Sequence, residues 1–164
     1  MQTLIKAITD QMAQIHHGKG WIGVSFEKKI QELSDIDFFV QAESMHSIAE
    51  IISHLTTWRL EAILKIRTCE GSITDDDPGN WKSNEELRKV GKDEILRKHT
   101  ESLYELLTLL KQKNDDFLDE LYYDTDYKSN YPYNFLIQGM LQHDVYHLGQ
   151  IGLLIKCLRS NPNN

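Results

Sequence analysis

Two histidines stand four residues apart in the apolar stretch "LQHDVYHLGQIGLL", residues 141–154, and imidazoles at that spacing can share one metal ion. On an α-helix, positions four apart are separated by 400°, so His143 and His147 project from nearly the same face one turn apart. Leu136, Met140, His143, His147, Gln150 and Leu154 form a single stripe of alternating fours and threes, which points the imidazoles toward a core. A core-facing imidazole needs partners, because an unsatisfied buried polar atom costs about 1–3 kcal/mol. With seven histidines in 164 residues, roughly 0.3 such pairs are expected by accident, so the pair alone decides little. A reactive zinc-type site also requires a third protein ligand and an open position. His54 supplies the candidate, three residues after Ile51 and four before Trp58 on the apolar stripe of another segment.

The elements that must position these residues read as helices. Apolar residues at 4, 5, 8, 12 and 15 predict a first helix ending at His16-His17-Gly18, with glycine in a left-handed cap and the imidazoles near terminal carbonyls. Residues 19–40 mix glycine with short apolar runs, and Ser25 has the character of a cap. Ser47 and Glu50 have the spacing of a reciprocal capping box at the head of a second helix over 48–68. The stretch from Gly71 to about 83 contains Pro78, Gly79 and three successive aspartates, a connector of a length often functional. A third helix is expected over 84–112 and a short helical turn at "DDFLDEL". A fourth runs from Pro132 to about Arg159. Strand signals are nearly absent. The expectation is an all-α fold, a four-helix bundle with long connections, formed by residues 1–164 as one domain.

Composition narrows the partners. A net charge of −7 without a basic cluster argues against nucleic acid. No run reaches membrane-spanning length, and the opening "MQTLIKAITDQMAQI" is broken by Lys6, Asp10 and Gln11, so neither a leader nor a membrane is expected and the chain reads as cytoplasmic. Cys69 and Cys157 have no metal-type spacing and are expected to be reduced, buried, structural thiols.

"HSIAEIISHLTTW" followed by "MLQHDVYHLGQIGLL" resembles the DinB/YfiT-like superfamily of four-helix metalloproteins over essentially the whole chain, including "NW" after the long connector. HDxYHLGQI is the specific part. The resemblance implies a three-histidine site of His54, His143 and His147 holding a divalent ion, zinc or nickel. It also implies a small-molecule substrate, with a low-molecular-weight thiol such as bacillithiol or mycothiol activated for S-transfer or isomerisation. Activation of water for hydrolysis is a second possibility, and a stress-related binding protein without turnover is the alternative. Gln150 matches the glutamine that follows the second histidine in many members. Where many relatives close the second helix with an apolar residue and glycine, this chain has "TCEG".

Other residues compete for roles at such a site. Glu50 lies one turn before His54, but its capping role already accounts for it. Asp144 is about 100° around the helix from His143 and is better placed to pair elsewhere than to coordinate. His99 is the strongest rival ligand, while His16, His17 and His46 read as structural. Tyr131, Tyr133 and Tyr146 are candidates to line a pocket or pack the core. Gly149 and Gly152 lie with Val145 on the side turned away from the histidines, which predicts either close packing within the chain or a homodimer interface.

Overall fold

The computed structural model describes residues 3–31, 33–42 and 44–160. The first helix, α1 (Leu4–His17), is capped by the Thr3 hydroxyl and, from across the chain, by Asp115. The Asp115 carboxylate accepts the amides of Leu4 and Ile5 at 2.9 and 3.0 Å. Gly18 ends α1 in extended backbone, not left-handed. Glycine is needed there for another reason: a Cβ would come within 2.7 Å of Gln14 Cα.

Two short helices follow, α2 (Phe26–Ile30) capped by Ser25 and α3 (Asp35–Phe38) capped by Ser34. The helix α4 (Ile48–Thr68) begins at the expected box, in which Ser47 Oγ accepts from Glu50 N and the Glu50 carboxylate accepts from Ser47 N at 2.7 Å. It closes at Cys69, which takes the left-handed conformation at φ 62° where glycine would be at ease.

The expected third helix is two. Gly91 at φ 86° divides α5 (Asn84–Val90) from α6 (Lys92–Leu110), because a residue at that φ cannot continue a right-handed helix. After a 3-10 turn (Asp115–Asp119), β1 (Leu121–Asp124) pairs antiparallel with β2 (Ser129–Pro132), Leu121 opposite Pro132 and Asp124 opposite Ser129. Pro132 therefore closes a strand, and the last helix, α7 (Tyr133–Ser160), starts one residue later. The hairpin corrects the expectation of essentially no strands. The all-α class stands, since the hairpin is the sole sheet among the described residues.

α4 packs on both α6 and α7, and α1 lies against α7. The apolar interior has two parts. One gathers Ile8 and Met12 of α1, Ile63 and Ile66 of α4, Leu103 and Leu107 of α6, and Ile137 of α7. The other gathers Phe26 and Phe38 with Ile48, Ile52 and Leu55 of α4, Ile95 of α6, and Ile151 and Leu154 of α7. Between them along α4 lie Thr56 and Arg59, level with His99 and Ser102 of α6 and Asp144 of α7.

Both cysteines are exposed rather than buried. A Cβ built at Gly149 or Gly152 meets nothing within 4 Å, so close packing inside the chain does not account for these glycines. The neighbouring Val145, Tyr146 and Leu153 face outward. Among the described residues no helix is long and apolar enough to cross a membrane.

Candidate metal centre

His54 enters from α4, and His143 and His147 from successive turns of α7. His143 Nε2 lies 2.9 Å from His54 Nε2 and 3.0 Å from His147 Nε2. One ligand atom from each of the three rings falls within 4.8 Å of the others. His54 and His147 are buried, whereas His143 is half-buried.

The outer nitrogens fix the tautomers. His54 Nδ1 is 3.3 Å from the Asn80 carbonyl oxygen, which only accepts, so Nδ1 carries the proton and Nε2 offers its lone pair. His147 Nδ1 meets Gln150 Oε1 at 2.7 Å with the same result. This is the role of Gln150: it orients a ring. Two lone pairs therefore face the Nε2 of His143, and one proton there cannot serve both at full strength. A cation can. Nitrogens about 2.0–2.1 Å from a shared ion sit roughly 2.8–3.4 Å apart for bond angles between 90° and tetrahedral, so the separations of 2.9 and 3.0 Å fit with little movement.

The electrostatics agree with the geometry. Burial, helped by the neighbouring His147, pushes His54 down to about 4. Burial, with His147 and His54 adding, pushes His143 down to about 3. His147 is also lowered, chiefly by burial. All three rings are neutral at pH 7, the form in which imidazole ligates a metal.

The chain matches the family model of the DinB superfamily over residues 3–151. It belongs to the DinB superfamily. No curated protein and no solved structure matches it. In this DinB chain two of the three rings face a cavity. His54 and His143 line a cavity of about 270 Å³ together with Trp58, Tyr122, Phe135 and Met140. Lys65 also reaches this cavity, but its ammonium is held by Asp124 at 2.8 Å and Glu61 at 3.8 Å.

Of the tyrosines singled out by sequence, none lines this cavity. Tyr133 is buried with its hydroxyl donating to the Lys65 carbonyl at 2.7 Å, and Tyr131 stacks on Phe135. Tyr146 is exposed, edge-on to His147. Tyr122 and Tyr127 line it instead.

The remaining histidines go elsewhere. His99 is buried away from the three rings, with Nδ1 3.2 Å from Thr56 Oγ1 and 3.4 Å from Arg59 Nη1. His16, expected near the carbonyls at the end of α1, is buried instead and bonds Asp144 Oδ2 at 2.9 Å. Arg59 completes this cluster, its Nη2 donating to Asp144 Oδ1 at 3.0 Å. Burial alone would raise the Asp144 carboxyl, but the Arg59 guanidinium and His16 outweigh it and hold the group below the ordinary carboxylate range. Asp144 does pair elsewhere, and Glu50 is the cap with a further bond from Gln41 Nε2 at 3.0 Å.

Burial keeps His16 and His99 below their ordinary value. Below about pH 6.5 the unfolded chain therefore takes up protons that these rings refuse in the fold, and stability must fall with pH. Each ring contributes up to about 1.4 kcal/mol per pH unit until its folded pKa is reached. Urea midpoints at pH 7.5, 6.5 and 5.5 should decline in that order, less steeply in His99→Met. An unchanged slope in the variant would contradict a neutral buried His99.

Proposed function

We propose that this protein is a metal-dependent enzyme in which His54, His143 and His147 hold zinc or nickel and a small thiol occupies the open side, for S-transfer to an electrophile. The observation that carries this reading is the convergence of three neutral imidazoles, two of which, His54 and His143, line a cavity. When bound, the divalent ion supplies positive charge that lowers the pKa of a thiol or water placed beside it.

The chain's own residues set up the rest. The Asn80 carbonyl and the Gln150 side chain keep Nδ1 of His54 and His147 protonated, so that Nε2 stays a lone-pair donor. Trp58, Phe135, Leu136 and Met140 give the cavity apolar walls that exclude water from a bound electrophile. The sulfur forms its bond to the electrophilic carbon, the leaving group departs, and the thiol proton passes to solvent at the cavity mouth. His143, the most exposed of the three rings, lines the cavity together with His54.

The test uses protein loaded with cobalt(II) as an optical stand-in. Addition of bacillithiol or cysteine is expected to produce a sulfur-to-metal charge-transfer band, and the zinc or nickel form should then consume thiol on addition of an alkyl halide or epoxide. Neither event is expected in His147→Ala. A band without turnover across a broad electrophile panel would favour a binding protein; no band, with hydrolysis of model esters or amides, would favour water as the nucleophile.

A further inference from the structure

His143 and His147 are carried by one helix, so their relative placement is set by α7 itself. His54 is the lone member of the triad from another element, and its ring must be held by something other than α7. The connector between α4 and α5 does this with two successive residues. The Asn80 carbonyl meets the edge of the His54 ring at Nδ1, 3.3 Å away. Trp81 covers its face, with ring centroids 3.8 Å apart and planes 7° from parallel.

The far side of the indole stacks on His46 at 3.9 Å and 6°, so Trp81 stands between two imidazoles. Asn80 is itself buried and anchored: its Oδ1 accepts from Trp58 Nε1 at 2.8 Å and its Nδ2 donates to the Asp75 carbonyl at 2.9 Å. An edge bond fixes rotation of the His54 ring in its plane, and a face stack fixes its tilt. Together they leave the lone pair of Nε2 one direction.

We propose that Trp81 is a positioning residue for the candidate metal centre: its indole, braced by His46, holds the His54 ring at the tilt that brings its Nε2 to those of His143 and His147. The inference rests on the reading that the triad holds a divalent cation. Because coupling is reciprocal, a cation on His54 must also order the segment that carries Asn80 and Trp81.

Four proteins test this: wild type, Trp81→Phe, Trp81→Leu and His46→Ala. Zinc affinity is measured by chelator competition, and the cobalt(II) absorption spectrum reports ligand geometry. Trp81→Leu is expected to weaken zinc binding on the order of tenfold or more, the scale of losing an outer support of a ligand, and to shift the cobalt bands. Trp81→Phe keeps a flat face against His54 and is expected to stay close to wild type, with His46→Ala between the two. Melting of the metal-free proteins shows whether each variant folds.

NMR of the metal-free proteins gives a reading that needs no metal. The His54 Nδ1 proton is expected to exchange slowly in wild type and Trp81→Phe, and fast in Trp81→Leu. A Trp81→Leu protein with wild-type zinc affinity, cobalt spectrum and Nδ1 exchange would overturn the proposal, as would equal losses in the Phe and Leu variants. A wild-type protein that binds no zinc or cobalt, yet shows the expected exchange pattern, would overturn the metal reading while supporting the positioning of the ring.

Discussion

Replacing Arg59 by methionine is expected to destabilise the fold by about 3–5 kcal/mol, the usual consequence of stripping a buried charge of its partner. Arg59 is 0 % exposed and Asp144 1 %. The guanidinium meets Asp144 Oδ1 at 3.0 Å, the His99 carbonyl at 3.1 Å and Ser102 Oγ at 3.3 Å, so one side chain satisfies groups on α6 and α7. Methionine replaces the apolar stem but stops short of the guanidinium and makes none of these bonds. The carboxylate of Asp144 would keep only His16, which then has reason to become an imidazolium. The variant should therefore recover part of its loss as pH is lowered toward 6, against the trend of the wild type. Adding Asp144→Leu should restore several kcal/mol by removing the orphaned charge. Chemical denaturation of the three proteins decides it, and a single variant within about 1 kcal/mol of wild type would show that the cluster is not a coupled charge pair.

The second large effect is expected at His143. Its Nε2 is the atom that both other rings approach. His143→Ala leaves two nitrogens on different helices, and zinc affinity should fall by more than the roughly 10–100-fold that follows loss of an outer-sphere support. The metal-free variant is expected to fold and to stay within about 1–3 kcal/mol of wild type, the cost of taking from the Nε2 atoms of His54 and His147 the ring they both approach. Thermal melts with and without zinc separate these claims. Wild type should gain about 2.7 kcal/mol at a hundredfold excess of free zinc over Kd, and the variant nothing at the same concentration. A zinc-dependent rise of equal size in both proteins would remove His143 from the site.

Periodicity made α4 legible to within a residue, because the Ser47 box marks its start and apolar stripes carry it to Thr68. The same stripes, read on two separate segments, pointed His54, His143 and His147 inward, and the structure brings those rings together. What periodicity does not carry was missed. The break at Gly91 lies within an apolar pattern that continues on both sides, so only the backbone angle reveals it. The hairpin is built from two four-residue strands, too short for alternation to register, although the polar run after Tyr123 flanked by tyrosines was a turn signal available in the chain.

The cluster of His16, Arg59, His99 and Asp144 draws one residue from each of the four long helices. No spacing along the chain relates them, and a charged pair at a core position is found only once the helices are docked. Asn80 and Trp81 entered the sequence reading through the "NW" of the family resemblance alone, since nothing in a connector's composition says which ring its residues will cover. The opposite holds for Cys69. The "TCEG" that departs from the family pattern is where the chain adopts a left-handed cap without glycine.

The polar stratum between the two apolar parts of the interior works as a registration mark for the helices. Sliding α7 past α4 by one turn, about 5.4 Å, would carry Asp144 off Arg59 and against hydrocarbon, a penalty that interchangeable leucines and isoleucines would never impose. Because Asp144 adjoins His143 in the chain, the height of the imidazoles on α7 relative to His54 is indexed by the same pair. The candidate receptacle for an ion is thus aligned by an ion pair one residue away from it.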